Sequence, residues 1–246
     1  MAPYKVTIAY DGTEFKGFQR QRSARTVQCE LENALKKLGW TERTITSAGR
    51  TDTGVHAEGQ VIGFQLEWRH STDDLMNALN KQLPVDIRVL QVRYAETDFH
   101  PRYSACMRRY RYQVYFAGVE NPLLERFYWR VWPKPNLEIM NECSRLFVGR
   151  HDFRAYGKPP NSRSSSFRTV QVANWDLAED GSKAMLRISA DAFLYHMVRR
   201  IVNVLVRAGQ GRISQTEVYE SLERQLELPA GIAPAKGLIL EEIIYK

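Results

Sequence analysis

Strand-like and helix-like segments alternate along this chain, and this alternation limits the folds that it can adopt. Residues 4–10 alternate apolar and polar side chains like a strand, and the segment from Val27 carries one apolar helical stripe that ends at Gly39. Strands are predicted at RTITSA, QVIGFQL and DIRVLQVRYA. The helix before the last of these begins at Ser71, which has the spacing of a capping box with Asp74. The first half therefore reads as two strand–helix–strand units.

The second half repeats this pattern loosely. Strands are predicted at RRYRYQVYF, FRTVQVANWDL, SKAMLRISADA and GLILEEIIY. Helices are predicted at NLEIMNECSRLFVG, with Asn136 as its cap, and at AFLYHMVRRIVNVLVRAG and SQTEVYESLERQ. The sequence therefore predicts an α+β fold with a mixed, mainly antiparallel central sheet, built from two related α/β halves and flanked by helices. We place these halves at residues 1–104 and 105–246.

One loop combines charged residues with glycines in the stretch AGRTDTGVHAEG, residues 48–59. Glycine adopts backbone conformations that are closed to other residues, so this loop can bend tightly and let another molecule approach its main chain. Asp52 is the carboxylate within it. Two interpretations remain open: a catalytic carboxylate, or an Asx-turn that Asp52 forms with Thr53 and Gly54, with Arg50 as a solvated partner.

The charge balance points to a polyanionic partner. The formal net charge is +7 and the pI is near 9.3. Much of the basic excess is arginine, whose planar guanidinium binds phosphate through two hydrogen bonds and stacks on bases. Arginines cluster between residues 145 and 168 and again between residues 102 and 111. Clusters of this kind favour a nucleic-acid-binding face over the alternative, a solvated basic surface.

Several classes of protein and of site are not indicated by the sequence. No apolar run approaches the roughly 20 residues that cross a bilayer, and no signal-peptide core is present at the N-terminus, so we expect a cytoplasmic protein without membrane attachment. The three cysteines form no CxxC pair, and the five histidines show no HxH or HExxH spacing. The adjacent Asp73 and Asp74 are explained by helix capping. No GxxxxGK[ST], GxGxxG or GxSxG motif occurs, so we expect neither a metal nor a cofactor.

Seven segments, in order across nearly the whole chain, resemble the signature segments of the tRNA pseudouridine synthase A family. The segments are YDGTEFKGFQRQ, AGRTDTGVHAEGQV, FHPRYSACMRRYRY, GRHDFRAY, FRTV, AFLYHMVRRIV and APAKGLIL. The GRTDxGVHA core is by itself very specific. One departure from the pattern is Asn203, where the resemblance leads us to expect glycine.

The resemblance implies a pseudouridine synthase fold and the isomerisation of uridine to pseudouridine in the anticodon stem-loop of tRNA, at its thirty-eighth to fortieth nucleotides. It also implies that Asp52 is the nucleophile, that no cofactor is needed, and that a homodimer cradles the tRNA. Cleavage of a glycosidic bond builds positive charge on the sugar. A close carboxylate can stabilise this charge, trap the sugar covalently or take a neighbouring proton. The sequence does not choose among these three roles.

The resemblance also assigns four supporting residues, each with a structural alternative. Arg50 would keep the Asp52 carboxylate ionised and oriented, or would form a simple surface ion pair. Tyr110 would lie against the extracted uracil, or would be a core tyrosine of its strand. Arg199 would pair with Asp52, or would lie on a solvated helix face. Leu238 would form an apolar wall of the uracil pocket, or would be plain core.

Two groups of residues are predicted to bind RNA. The first resembles the RNA-penetrating loop of the family, although an Asp-Gly pair just before it could mark only a hairpin turn. Its members are Phe15, Phe18, Gln19, Arg20 and Gln21. The second group comes from the basic clusters: Arg108, Arg109, Arg154, Arg163 and Arg168.

Two other classes of function use some of the same features. A non-catalytic RNA-binding module would need the basic clusters but not Asp52. A base-removing glycosidase would use the carboxylate and lose the base to water, and such enzymes usually employ a second acid. No second carboxylate stands out in this sequence.

Overall fold

The chain folds into two compact units in the computed structural model, which describes residues 1–159, 161, 164–226, 228 and 230–246. Unit 1 comprises Met1–Cys106 and Ile239–Lys246, and unit 2 comprises Met107–Leu238. The first crossing from unit 1 to unit 2 lies two residues beyond the boundary predicted from the sequence. The C-terminal segment differs from that prediction, because it belongs to unit 1 and not to the second half.

Unit 1 is built on a mainly antiparallel sheet with two helices. Its strands follow the spatial order β4-β1-β3-β10, with β2 paired to β3. The strands are β1 (Ala2–Tyr10), β2 (Thr46–Ser47), β3 (His56–Leu66), β4 (Ile87–Tyr94) and β10 (Leu238–Tyr245), and the helices are α1 (Val27–Lys37) and α2 (Thr72–Gln82). β10 pairs in parallel with β3 at Ile239 and His56, which is why the end of the chain belongs to this unit.

Local sequence explains the main elements of unit 1. β1 buries every second side chain, so its alternating pattern gives one core face, as the sequence predicted. The predicted capping box of α2 is confirmed: the Ser71 hydroxyl accepts from the Asp74 N–H, and the Asp74 carboxylate accepts from the Ser71 N–H. The predicted strand RTITSA is shorter than expected, because only Thr46 and Ser47 pair with β3.

Unit 2 carries five strands, mainly antiparallel, and three helices. Its strands follow the order β5-β9-β8-β7, with β6 parallel to β5. The strands are β5 (Ala105–Phe116), β6 (Trp129–Val131), β7 (Gly149–Asp152), β8 (Phe167–Leu177) and β9 (Lys183–Ala190), and the helices are α3 (Leu137–Arg145), α4 (Met197–Gly209) and α5 (Gln215–Glu223). α3 packs on β8 and α4. The α+β class and the mainly antiparallel pairing predicted from the sequence are therefore confirmed.

The start of α4 differs from the sequence prediction, which placed the helix from Ala192. His196 has a left-handed φ of 66°, so a right-handed helix cannot pass through it. Tyr195 instead exchanges two backbone hydrogen bonds with Lys158. The helix consequently begins at Met197.

Candidate active site

Asp52 lies at a tight turn in the loop between β2 and β3 of unit 1. The turn is closed by the Val55 N–H, which donates to the Asp52 carbonyl oxygen over 3.2 Å, and Gly54 has a left-handed φ of 77°. Asp52 is half-buried, whereas Arg50 is exposed. Because backbone groups close this turn, its shape does not require the charge of the Asp52 carboxylate.

A buried polar cluster holds the Asp52 loop through hydrogen bonds to Thr51 and Gly49. The Tyr10 hydroxyl, at the end of β1, lies 2.8 Å from Oγ1 of Thr51, the residue before Asp52. The fully buried Gln60 donates from Nε2 to the carbonyl oxygen of Gly49 over 3.0 Å. Burial raises the pKa of Tyr10 to about 12, so its hydroxyl stays neutral at physiological pH. Since buried polar groups are costly to leave unpaired, these bonds hold the loop in one position.

The segment from Asp11 to Phe18 packs against the Asp52 turn through main-chain hydrogen bonds. The Phe18 N–H donates to the Thr51 carbonyl oxygen over 3.1 Å, and the Gly54 N–H donates to the Phe15 carbonyl oxygen over 3.3 Å. The bond from the Gly54 amide to the neighbouring segment ties the two loops together.

Two glycines make this close approach possible. A Cβ on Gly12 would lie 2.1 Å from the Val55 carbonyl oxygen, which is far inside van der Waals contact. Gly17 has a φ of +87°, and a Cβ there would lie 3.0 Å from the Thr51 carbonyl oxygen. Only residues without a side chain fit between the two loops at these positions.

His56 ties the start of β3 to the same segment. Its buried imidazole accepts the Gly12 N–H at Nδ1 over 3.0 Å, and the same nitrogen lies 3.1 Å from the Asp11 carboxylate. These contacts make His56 a scaffold residue of the loop. Asp11 and Gly12 thus lie beside the candidate site, and they do more than turn a hairpin.

The predicted RNA-penetrating segment divides into buried and exposed members. Phe15 and Phe18 are buried in unit 1, with exposed fractions of 1% and 2%, so in this structure their rings pack in the core. Gln19, Arg20 and Gln21 are exposed. The exposed residues are therefore the ones placed to meet another molecule.

Arg20 is held in place by a buried carboxylate. Its Nη1 donates to Glu32 of α1 over 2.5 Å, and Glu32 is 1% exposed. Gln28 and Thr44 also donate to Glu32. This network holds the Arg20 guanidinium through Nη1 while leaving the side chain 41% exposed.

The other predicted site residues lie in unit 2. Tyr110, on β5, is half-buried, and its ring meets Phe193 edge-on with centroids 5.2 Å apart. The core tyrosine of this strand is Tyr112, which is fully buried and donates its hydroxyl to the Pro234 carbonyl oxygen over 2.7 Å. Burial raises the pKa of Tyr112 well above its usual value. Tyr110 and Tyr112 thus occupy different environments on one strand.

Arg199 fixes the segment that leads to Leu238. Its Nε donates to the Ala233 carbonyl oxygen over 2.8 Å, and the Ala233 N–H donates back to the Arg199 carbonyl oxygen over 3.1 Å. Asn203, one turn further along α4, lies against Gly231, where a Cβ would be 2.6 Å from Nδ2. Leu238 is buried at the end of this segment. The departure at Asn203 is accommodated by a glycine on the facing segment.

The basic residues predicted to bind RNA also lie in unit 2. Arg108 and Arg109 lie on β5, and Arg108 donates to the Asp191 carbonyl oxygen over 2.6 Å. Arg154 pairs with Asp152 over 3.1 Å. Arg168, on β8, donates to the carbonyl oxygens of Ser165 and Phe167. Arg163 lies outside the described residues.

Sequence reasoning missed the groups that hold the loop. These groups come from more than one element, and their contacts become visible only in the folded unit. They are Tyr10, Thr51, Gln60 and the glycines at positions 12 and 17. A periodic pattern identifies Tyr10 as a buried strand residue, but it does not identify its partner.

In the part of the chain that the structure describes, no group of three or more histidine, cysteine, aspartate or glutamate residues could hold a metal ion. Within that same part, no helix combines the length and the apolar character needed to span a membrane.

Comparison with known proteins gives matches over almost the whole chain. The profile of a family described as tRNA pseudouridine synthase matches residues 6–104 and 143–246. Three similar proteins, each named tRNA pseudouridine synthase A, come from Thermoanaerobacter sp. (strain X514), Thermodesulfovibrio yellowstonii and Streptococcus equi subsp. equi. Their identities to this chain are 39%, 37% and 41%, and the matches cover 98%, 100% and 100% of both chains, respectively.

Proposed function

We propose that this chain, which belongs to the tRNA pseudouridine synthase family, isomerises uridine in the anticodon arm of tRNA with Asp52 as the nucleophile. Members of this family are isomerases that act on tRNA. The position within tRNA, the thirty-eighth to fortieth nucleotides, comes from the sequence resemblance. The observation that carries the proposal is the Asp52 turn, which the family motif forms here as a loop held by buried hydrogen bonds on one side and by a second loop on the other.

The reaction needs no outside reactant. The bond between uracil nitrogen and the ribose carbon breaks, the base turns, and a ring carbon of the same uracil bonds to that ribose carbon. The ring carbon loses a proton and the freed nitrogen gains one, so the atoms and electrons balance without a redox step. Only a group that manages positive charge on the sugar, or moves the proton, is required.

The Asp52 loop suits this role because it positions a carboxylate in advance. The residues on both sides of Asp52 are fixed, Thr51 by Tyr10 and Phe18, and Gly54 by Phe15. A group that is already oriented loses little entropy when it attacks, which is a large part of what a catalytic site contributes. Among the three roles open to the carboxylate, nucleophilic attack demands the tightest positioning.

The supporting roles come from the resemblance and remain proposals. Arg50, exposed two residues before Asp52, would orient the carboxylate. Tyr110 would lie against the uracil, and the partial exposure of its ring supports a contact that the buried Tyr112 could not make. Arg199 and Leu238 would complete the pocket, and the hydrogen bonds between Arg199 and Ala233 support a fixed position for that segment.

Binding of tRNA would rest on exposed polar and basic side chains. Gln19, Arg20 and Gln21 are exposed beside the Asp52 loop, and the arginines that the sequence predicts to bind RNA would contact phosphates. The net charge of +7 supports a polyanionic substrate. We further propose that the protein forms a homodimer, as the resemblance implies, and that it acts in the cytoplasm.

The direct test is to incubate the protein with unmodified tRNA and to map pseudouridine at each nucleotide. We expect pseudouridine at the thirty-eighth to fortieth nucleotides, and none there in a control tRNA that carries cytidine at those positions. Free uracil released without pseudouridine would indicate a glycosidase instead. Binding of tRNA with neither product would indicate a non-catalytic RNA-binding module.

A further inference from the structure

Arg150 lies over the ring of Phe167 on the surface of unit 2. Arg150 lies on β7 and Phe167 on β8, and in the register of these strands Arg150 faces Thr169 while Asp152 faces Phe167. The two side chains are therefore diagonal neighbours on one face of the sheet. The Arg150 guanidinium carbon lies 4.9 Å from the centroid of the Phe167 ring.

Both members of the pair face solvent. Phe167 has an exposed fraction of 44%, which is high for a large aromatic residue on a strand, and Arg150 is exposed beside it. β7 is the last strand in the order of this sheet. A molecule outside the protein can thus reach the guanidinium without any rearrangement of the strands.

The charge of Arg150 is not neutralised within the described residues: no carboxylate there lies within ion-pair distance of its guanidinium. Other arginines in the same unit differ in this respect. Arg154 pairs with Asp152 over 3.1 Å, and Arg224 pairs with Glu220 over 3.2 Å. Arg150 instead lies over an apolar ring, which attracts the cation, and its N–H donors bond to none of the residues that the structure describes.

This geometry suits a phosphate group. A guanidinium that lies over an aromatic ring has lost part of its conformational freedom, so less entropy is lost when it binds a ligand. Arginine donors in this arrangement match the oxygens of a phosphate through two parallel hydrogen bonds.

We infer that Arg150, held in place by Phe167, binds a backbone phosphate of the RNA substrate. This inference rests on the proposed function, because it takes the substrate to be tRNA. Arg150 is the residue that contacts the phosphate, and Phe167 is a positioning residue that acts through it. Neither was among the RNA-binding residues predicted from the sequence.

The test measures the affinity for unmodified tRNA at several salt concentrations. Removal of one phosphate contact reduces the slope of log affinity against log salt by about 0.7–1. We therefore expect Arg150→Gln to bind about three- to tenfold more weakly near 0.1 M salt, with a slope lowered by that amount. Arg150→Lys keeps the charge, so its slope should stay close to that of the wild type.

Arg224→Gln is the matched control, because it removes the same charge from an exposed arginine that already has a carboxylate partner. It should change the affinity less than about twofold. An Arg150→Gln variant with the affinity and slope of this control would overturn the inference.

The role of Phe167 is tested by a double-mutant cycle with Phe167→Leu, which keeps an apolar strand residue but removes the ring. We expect Phe167→Leu alone to weaken binding, and the double variant with Arg150→Gln to bind no more weakly than Arg150→Gln alone. Losses that add would contradict the positioning role. Melting temperatures of all variants confirm that they fold.

Pseudouridine formation by the wild type, measured in parallel, separates this inference from the proposed function. If the wild type forms pseudouridine and Arg150→Gln binds normally, the inference fails alone. If the wild type forms none, the proposed function fails, whatever the salt dependence shows.

Discussion

The hydroxyl of Tyr10 offers a measurable test of how the Asp52 loop is held. In the wild type the Tyr10 hydroxyl lies 2.8 Å from Oγ1 of Thr51. Tyr10→Phe removes this hydroxyl and leaves the buried Oγ1 of Thr51 without that hydrogen bond. A buried polar group that loses its partner costs about 1–3 kcal/mol. We therefore expect the free energy of unfolding at pH 7 to fall by about 1–2 kcal/mol, the lower part of that range, because Thr51 can regain some hydration.

The same residue predicts how this difference changes with pH. Burial raises the pKa of Tyr10 from its ordinary value to about 12 in the folded protein. The folded state thus favours the neutral phenol, and its contribution is fully present below pH 10 and is lost as pH rises from 10 towards 12. At about 1.4 kcal/mol for each pH unit, the stability advantage over Tyr10→Phe should shrink by about 1.4 kcal/mol between pH 7 and pH 11.

Urea unfolding of both proteins at pH 7, 9, 10 and 11, followed by tryptophan fluorescence, gives these differences. Tyr112 and Tyr156 also have raised pKa values, but they are present in both proteins, so their contributions cancel in the comparison. If the free energies of unfolding of wild type and variant differ by the same amount at every pH up to 11, the pKa of Tyr10 is not raised in the folded protein.

The kinetic consequence follows from the position of Thr51 next to Asp52. We expect Tyr10→Phe to lower the single-turnover rate of pseudouridine formation about tenfold, or about 1.4 kcal/mol of barrier, because the carboxylate is less well positioned. The affinity for tRNA should stay unchanged, since no phosphate contact is lost. A rate equal to that of the wild type would show that the hydroxyl does not position the loop.

Three further predictions concern Gly12, the need for a metal or cofactor, and Arg168. Gly12→Ala should displace the Asp52 turn and reduce the rate of pseudouridine formation by more than about tenfold, because its Cβ would lie 2.1 Å from the Val55 carbonyl oxygen. Gly49→Ala, which has open space around its Cβ, should be nearly neutral, and the rates and melting temperatures of both variants check this. Activity should persist in excess chelator with no added cofactor, apart from the effect of magnesium on tRNA folding, and a complete loss that a transition metal reverses would contradict this. Arg168→Glu should weaken binding of all tRNA substrates and lower the salt slope by about one unit, and an unchanged slope would assign Arg168 to the solvated surface.

Features with a local cause are predictable from the sequence. The capping box of α2 and the Asn136 cap of α3 are both confirmed, because each needs only residues within one turn of the helix. The predicted start of α4 was wrong, because the apolar pattern continues back to Ala192 but the helix does not. A left-handed His196 and a backbone pairing with Lys158 end the helix there, and neither is encoded in the local pattern.

The candidate site likewise has some features that the sequence predicts and others that it does not. Asp52 and its turn glycine Gly54 are found from the motif, because their residue types and spacing carry the signal. The partner of Thr51 is not found in this way, since Tyr10 lies 41 positions earlier in the chain. The need for glycine at position 12 likewise depends on a main-chain approach by Val55. Contacts between distant segments therefore supply the part of the site that periodicity and motifs cannot predict.

The effect of Asp52→Asn on a single turnover decides whether the Asp52 carboxylate is catalytic. Asparagine keeps the shape of the side chain and forms an Asx-turn as well as aspartate does, and backbone groups close the turn in any case. We therefore expect the variant to fold, to keep the wild-type melting temperature and to bind tRNA normally. Pseudouridine formation at saturating protein should fall by at least about 10³, or roughly 4 kcal/mol of barrier. Retained activity, or a loss that unfolding fully explains, would contradict a catalytic Asp52.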